Sequence, residues 1–140
     1  MSADVFLIHK ARHIALKPVM DKGKKLVEME YVDDEGREHK YRGKGPHSAH
    51  DPVRVSILQQ ECVMWESDAG PFTVFMKDEP PFWRSFPAHS TLGEDGIHRV
   101  SSGPCRTDEK GKKREIHFLV RFTGAHADAE ELDPHLVPFP

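Results

Sequence analysis

Two histidines three positions apart, with a carboxylate beside the second, make His47-Ser48-Ala49-His50-Asp51 the most metal-like stretch of the chain. Imidazole nitrogens and a carboxylate oxygen are ligands that zinc accepts. A turn can bring all three together, whereas a regular strand sends His47 and His50 to opposite faces. Zinc asks for three or four ligands, so His39, His89 or His98 would have to complete the set from elsewhere. On this reading the cofactor is Zn or Cu. On the other reading the ten histidines of the chain are displayed to solvent and there is no cofactor.

Trp83-Arg84-Ser85-Phe86, following Pro80-Pro81-Phe82, is the candidate for recognition. Proline fixes the local backbone, and aromatic rings with arginine are the residue types that dominate protein interfaces, so Trp83, Arg84 and Phe86 form a candidate binding surface for a protein partner. The rival reading makes Phe82 and Phe86 the plug at one end of a β-sandwich, with Trp83 lying flat on it. Glu66-Ser67-Asp68, in WESDAGPF, could pair two carboxylates for acid/base work. Ser, Asp, Gly and Pro are equally the residues that reverse a chain, and a hairpin corner between Val63–Trp65 and Phe72–Met76 is the expectation. The basic run Lys110-Gly111-Lys112-Lys113-Arg114 is interrupted by glycine and preceded by Asp108-Glu109, as in a solvated hairpin tip joining the strand 97–101 to the strand 115–122. No GxSxG elbow, phosphate-cradling glycine loop or local Cys-His signature appears, so a non-enzymatic protein is expected.

Twenty basic and 23 acidic residues give a formal charge of −3, without the basic excess that nucleic-acid binding requires. The apolar run at Val5–Ile8 is too short for a signal core or a membrane span, which predicts a cytoplasmic protein with no membrane partner. In that compartment Cys62 and Cys105 are expected as free thiols. The length, 140 residues, suits one domain over 1–140.

The elements that must position these groups are strands. Ile116, Phe118, Val120 and Phe122 recur at every second position, as do Val53, Val55 and Ile57, then Val63 and Trp65, then Phe72, Val74 and Met76. Apolar residues on both faces of 72–76 place that strand centrally in its sheet. Lys25–Val32 and Arg37–Arg42 read as a hairpin around Asp33-Asp34-Glu35-Gly36, and a four-residue loop there sets Glu30 opposite His39 and Glu28 opposite Tyr41. Two β-prone pieces precede it, the second stopped by Pro18. Ala125–Leu132 supports one helical turn at most. Eleven prolines and ten glycines punctuate short strands, the pattern of an antiparallel β-sandwich with an additional N-terminal β-hairpin.

Read together, VMWESDAGPFTVFM, PPFWRSF, Ser102-Gly103, EIHFLVRF and LDPHLVPFP resemble a group of small bacterial cupredoxin-like or immunoglobulin-like β-sandwiches, over about residues 53–140. The resemblance implies an all-β fold with Trp65 on a central strand, and no assigned chemistry. Cupredoxins that carry type 1 copper place Cys, His and Met together near their last loop. Here the loop 123–134 has His126 but neither Cys nor Met, and Cys105 precedes the strand, so no type 1 site is implied. The expected function is a binding or interaction module that engages a protein partner, or a second copy of itself, through loops or an edge strand. The alternative is a His-rich metal-binding protein.

Overall fold

The alternation in the C-terminal half decides which way the strands face. In the computed structural model, which describes residues 11–33, 35–43, 53–57, 59–109 and 115–139, Ile116, Phe118, Val120 and Phe122 are all fully buried. Val55, Ile57, Val63, Trp65, Phe72 and Val74 are buried with them, as their spacing predicts. They join Ile14, Leu16, Val27, Met29 and Tyr31 from the N-terminal strands in one continuous core.

The strands are β1 (Ala11–Asp21), β2 (Lys24–Val32), β3 (Glu38–Arg42), β4 (Val53–Ser56), β5 (Cys62–Ser67), β6 (Phe72–Met76), β7 (Ala88–His89), β8 (Thr91–Leu92), β9 (His98–Ser101), β10 (Ile116–Phe122) and β11 (His135–Phe139). They form a six-stranded sheet in the order β3-β2-β1-β5-β9-β8 and a five-stranded sheet in the order β4-β11-β10-β6-β7. Trp65 of the first sheet meets Phe118 of the second edge to face, with ring centroids 5.6 Å apart. Such pairs add to plain burial because the positive edge of one ring faces the negative face of the other. Phe72 and Phe122, opposite one another on β6 and β10 of the second sheet, make another edge-to-face pair at 6.4 Å.

Several expectations need correction. Among the described strands pairing is antiparallel except for β1 with β5 and β4 with β11, which are parallel. The chain leaves the first sheet after β3, runs as β4 in the second, and returns as β5 beside β1. That long excursion frees β5 from the reversal a hairpin imposes. Val63–Trp65 and Phe72–Met76 are not adjacent strands, because β5 and β6 lie in different sheets. Glu66 and Ser67 still belong to β5, and the turn that follows crosses between layers, with Ser67 Oγ accepting a hydrogen bond from the Ala69 amide at 3.1 Å. The loop after β9 likewise passes from one sheet to the other, so β9 and β10 do not make a hairpin.

Pro18 does not end its strand. Val27, opposite Pro18, directs its amide to Glu130 O and its carbonyl to the Gly43 amide, so its hydrogen-bonding groups point away from β1. By the antiparallel pattern the Pro18 nitrogen also points away from β2, on the side where pairing with β5 has already ended at Ala15. A missing donor there removes no bond. β1 and β2 are joined by Lys22-Gly23, with φ of 52° and 80°, the positive values of a two-residue turn whose twist matches the strands.

β2 and β3 pair one residue out of the expected register, Glu30 opposite Lys40 and Tyr31 opposite His39. Asp33 is the cause. Its backbone closes the loop with Arg37, and its Oδ1 accepts from the amides of Glu35 and Arg37, both at 2.9 Å, which tightens the turn by one residue. Asp33 Oδ2 also meets His39 Nε2 at 2.8 Å. The His39 hydrogen bond, followed by the Arg37 amide, holds the Asp33 carboxyl down from 3.8 to about 2. A carboxyl depressed in the folded state stabilises the fold above its unfolded pKa, and that contribution is lost as pH falls toward the folded value. The protection factors of the amides in the β2–β3 hairpin, that is, exchange corrected for its intrinsic pH dependence, are therefore expected to fall from about pH 4 down to about pH 2. Asp33→Asn should flatten this dependence, as measured by hydrogen exchange.

Gly124–His126 form a 3-10 turn that overlaps the start of Ala125–Leu132, the stretch whose sequence supports one helical turn at most. Among the described residues no helix is long and apolar enough to cross a membrane. Cys62 and Cys105 are free thiols.

Candidate binding surface

Two prolines and a short bridge fix the loop that carries Trp83. Phe82 is buried and forms an isolated β-bridge with Cys105, and the Arg106 amide donates to Pro81 O at 2.7 Å. Phe86 is half-buried, edge-on to Trp65 at 6.3 Å and tilted against Phe82 at 6.5 Å. These two rings anchor the loop in the core. Between them Trp83 stands out, 62% exposed. One face of its ring carries the Arg106 guanidinium, 5.0 Å from the centroid. Arg106 is itself held by a bidentate pair with Asp108 and by Glu79 Oε1 at 3.2 Å, so the Asp108 hydrogen bond pushes its pKa up and keeps it charged. Arg84 is exposed and donates through Nη1 to Ser101 O at 2.8 Å, which ties the loop to the end of β9.

Of the three residues singled out for recognition, then, Trp83 and Arg84 share an exposed surface, while Phe86 positions that surface from below. Phe82 is buried and Phe86 packs half-buried against the core, while Trp83 leaves most of its ring in water. Arg106 was not legible as part of this surface, because only the bridge between Phe82 and Cys105 brings its segment alongside Trp83. Removing the guanidinium in Arg106→Ala leaves the ring unclamped. A small loss of stability in thermal or denaturant unfolding is expected, as for a cation–π contact at the surface.

His47, His50 and Asp51 lie outside the described residues. Among the described residues no three His, Cys, Asp or Glu side chains are grouped to hold a metal ion. His39 is bound to Asp33, His89 Nδ1 meets Thr73 Oγ1 at 2.9 Å, and His98 is half-buried on β9.

Glu66 is committed to a cluster of charges, whereas Asp68 is exposed in the turn after β5. Glu66 lies on the outer face of the six-stranded sheet, with His13 Nδ1 at 2.6 Å and Arg99 Nε at 2.9 Å, and Arg99 continues to Asp95. Burial works to raise the Glu66 carboxyl, but the hydrogen bonds from His13 and Arg99 outweigh it and hold the group below the usual range. His13 is 53 residues from Glu66 in sequence and comes beside it through the parallel β1–β5 pairing, for which the sequence carries no local signal. Two shallow depressions of about 320 and 380 Å³ meet here, sharing Ala15, Glu30 and Glu66. Cys62 lies on the same strand, but burial pushes its thiol up, which disfavours the nucleophilic thiolate. The charges across this face act as cross-strand ties among β1, β5 and β9.

No family model matches the chain, and no curated protein or solved structure shows significant similarity to it.

Proposed function

We propose that this protein is a non-enzymatic interaction module, a cupredoxin-like or immunoglobulin-like sandwich of the cytoplasm that engages a protein partner through the surface of Trp83 and Arg84. The observation that carries the reading is the 62% exposure of a tryptophan whose loop is pinned on one side by the buried Phe82 and on the other by the half-buried Phe86. Exposing a large ring to water forgoes burial that stabilises by roughly 2–3 kcal/mol, and holding it rigid removes the entropy cost that a flexible contact incurs on binding. Arg84 and Arg106 supply donors beside it, the composition of an interface hot spot. Two strand-bearing sheets over an aromatic core centred on Trp65 support the sandwich assignment, and two free thiols are in keeping with a reducing compartment.

The test places a photo-reactive benzophenone side chain at Ser85, exposed beside Trp83, and at Glu94, exposed in the turn before β9 at its other end. A discrete cross-linked species formed in cells from position 85 and not from 94, and lost when Trp83→Ala is added, is the expected result. An adduct indifferent to Trp83→Ala, or no discrete adduct at 85, refutes the reading.

A further inference from the structure

β3 is the outermost strand of the six-stranded sheet. The phase of its hydrogen bonds follows from its two ends. Asp33 N donates to Arg37 O and Gly43 N donates to Val27 O, so the odd-numbered residues of this strand turn their backbone groups toward β2. The N–H and C=O of Glu38, Lys40 and Arg42 therefore point away from the sheet, and among the described residues no strand pairs with them. All three are exposed, with side chains on the sheet's outer face in the order acid, base, base.

We propose that β3 pairs with β3 of a second copy of this chain, antiparallel about a two-fold axis at Lys40. In this register Lys40 meets Lys40, and Glu38 of each copy meets Arg42 of the other. Each of these three pairs is of the hydrogen-bonded kind, exchanging two backbone bonds, so every outward-pointing group of the strand is used. The two Glu38–Arg42 pairings bring opposite charges face to face, although each Arg42 already donates through Nε to Glu28 and lies 3.7 Å from Asp21 of its own chain, so the new pairs add to a shared cation. Sliding the register by two residues toward Gly36 leaves Arg42 opposite a turn residue whose amide is already bound to Asp33 O. Sliding it the other way sets Lys40 against Arg42. The interface is isologous, which a two-fold dimer requires, and it joins two six-stranded sheets into one.

Lys40 sets the strength. Lysine on an edge ordinarily blunts pairing, and here two of them face each other across the axis. Glu30 sits directly beside Lys40 on β2, so the row of four, Glu30 and Lys40 from each copy, is neutral. The result is weak, concentration-dependent association, which the chain can strengthen or abolish at a single position. This surface is separate from Trp83 and does not depend on the reading given to it.

Sedimentation velocity of the full chain, from low micromolar to roughly 1 mM, tests the pairing. A reversible monomer–dimer equilibrium is expected. Lys40→Pro removes an N–H that points away from β2 and pairs with no strand among the described residues, so its thermal unfolding should stay near wild type while dimerisation weakens at least about tenfold. Lys40→Thr removes the facing charges and should tighten dimerisation by roughly two- to fivefold, while Trp83→Ala leaves it unchanged. A monomer throughout the range overturns the proposal, as does a dimer whose affinity is the same in both Lys40 variants. The Lys40→Thr arm stands alone if Lys40→Pro fails to fold.

Discussion

Phe118→Ala is expected to destabilise the protein by about 3–5 kcal/mol, the range for removing a buried aromatic ring whose surroundings collapse only in part. Phe118 is fully buried and takes the edge of Trp65 across the two sheets, so its loss opens a cavity at the junction of the layers. Truncation forfeits the ring's transfer energy and also its contact with Trp65. The control is Phe75→Ala. Phe75 lies on the opposite face of its strand, half-buried, with the Arg121 guanidinium 5.1 Å above its ring. About 1 kcal/mol is expected there, and urea unfolding with an unchanged m-value separates the two. Equal losses at the two positions would mean that the strands do not have an inner and an outer face.

Trp83→Ala should separate binding from folding. The change in stability stays within about 1 kcal/mol, because what is removed inside the chain is little more than the contact with Arg106. The yield of the species cross-linked from position 85 should fall at least tenfold, since a central aromatic anchor is commonly worth 2 kcal/mol or more and each 1.4 kcal/mol is a factor of ten. Arg84→Ala should weaken the same adduct less and leave unfolding unchanged. A large stability loss in Trp83→Ala with proportional loss of adduct would make this tryptophan a structural residue instead.

What the sequence shows of this fold is what a period of two can carry. Ile116, Phe118, Val120 and Phe122 declare their inner face without reference to any neighbour, because burial of one face is a property of the strand itself. Which strands lie side by side is a property of pairs. Nothing in Val63–Trp65 says that its neighbours are β1 and β9 rather than the strand that follows a tight turn. The register of β2 and β3 turned on a single side chain, Asp33, whose two amide bonds shorten the loop by one residue and exchange Glu30's partner from His39 to Lys40. Pro18 misled for a similar reason. Its missing donor matters only if a neighbour needs it, and the β1–β5 pairing has already stopped. In the loop 80–87 the residue types mark out a stretch rich in aromatics, but Trp83 and Phe86 differ only in direction, and no periodicity exists in a loop to assign one outward and the other inward.

The central claim is that the chain buries one tryptophan at the meeting of its sheets and holds the other in water. Fluorescence of wild type and of Trp83→Phe tests this most directly. The variant, left with Trp65, should emit at short wavelength and resist acrylamide. The component it lacks relative to wild type should be red-shifted and readily quenched. If the two spectra coincide and the variant is quenched as easily as wild type, the two rings are not placed as described, and the proposed surface goes with them.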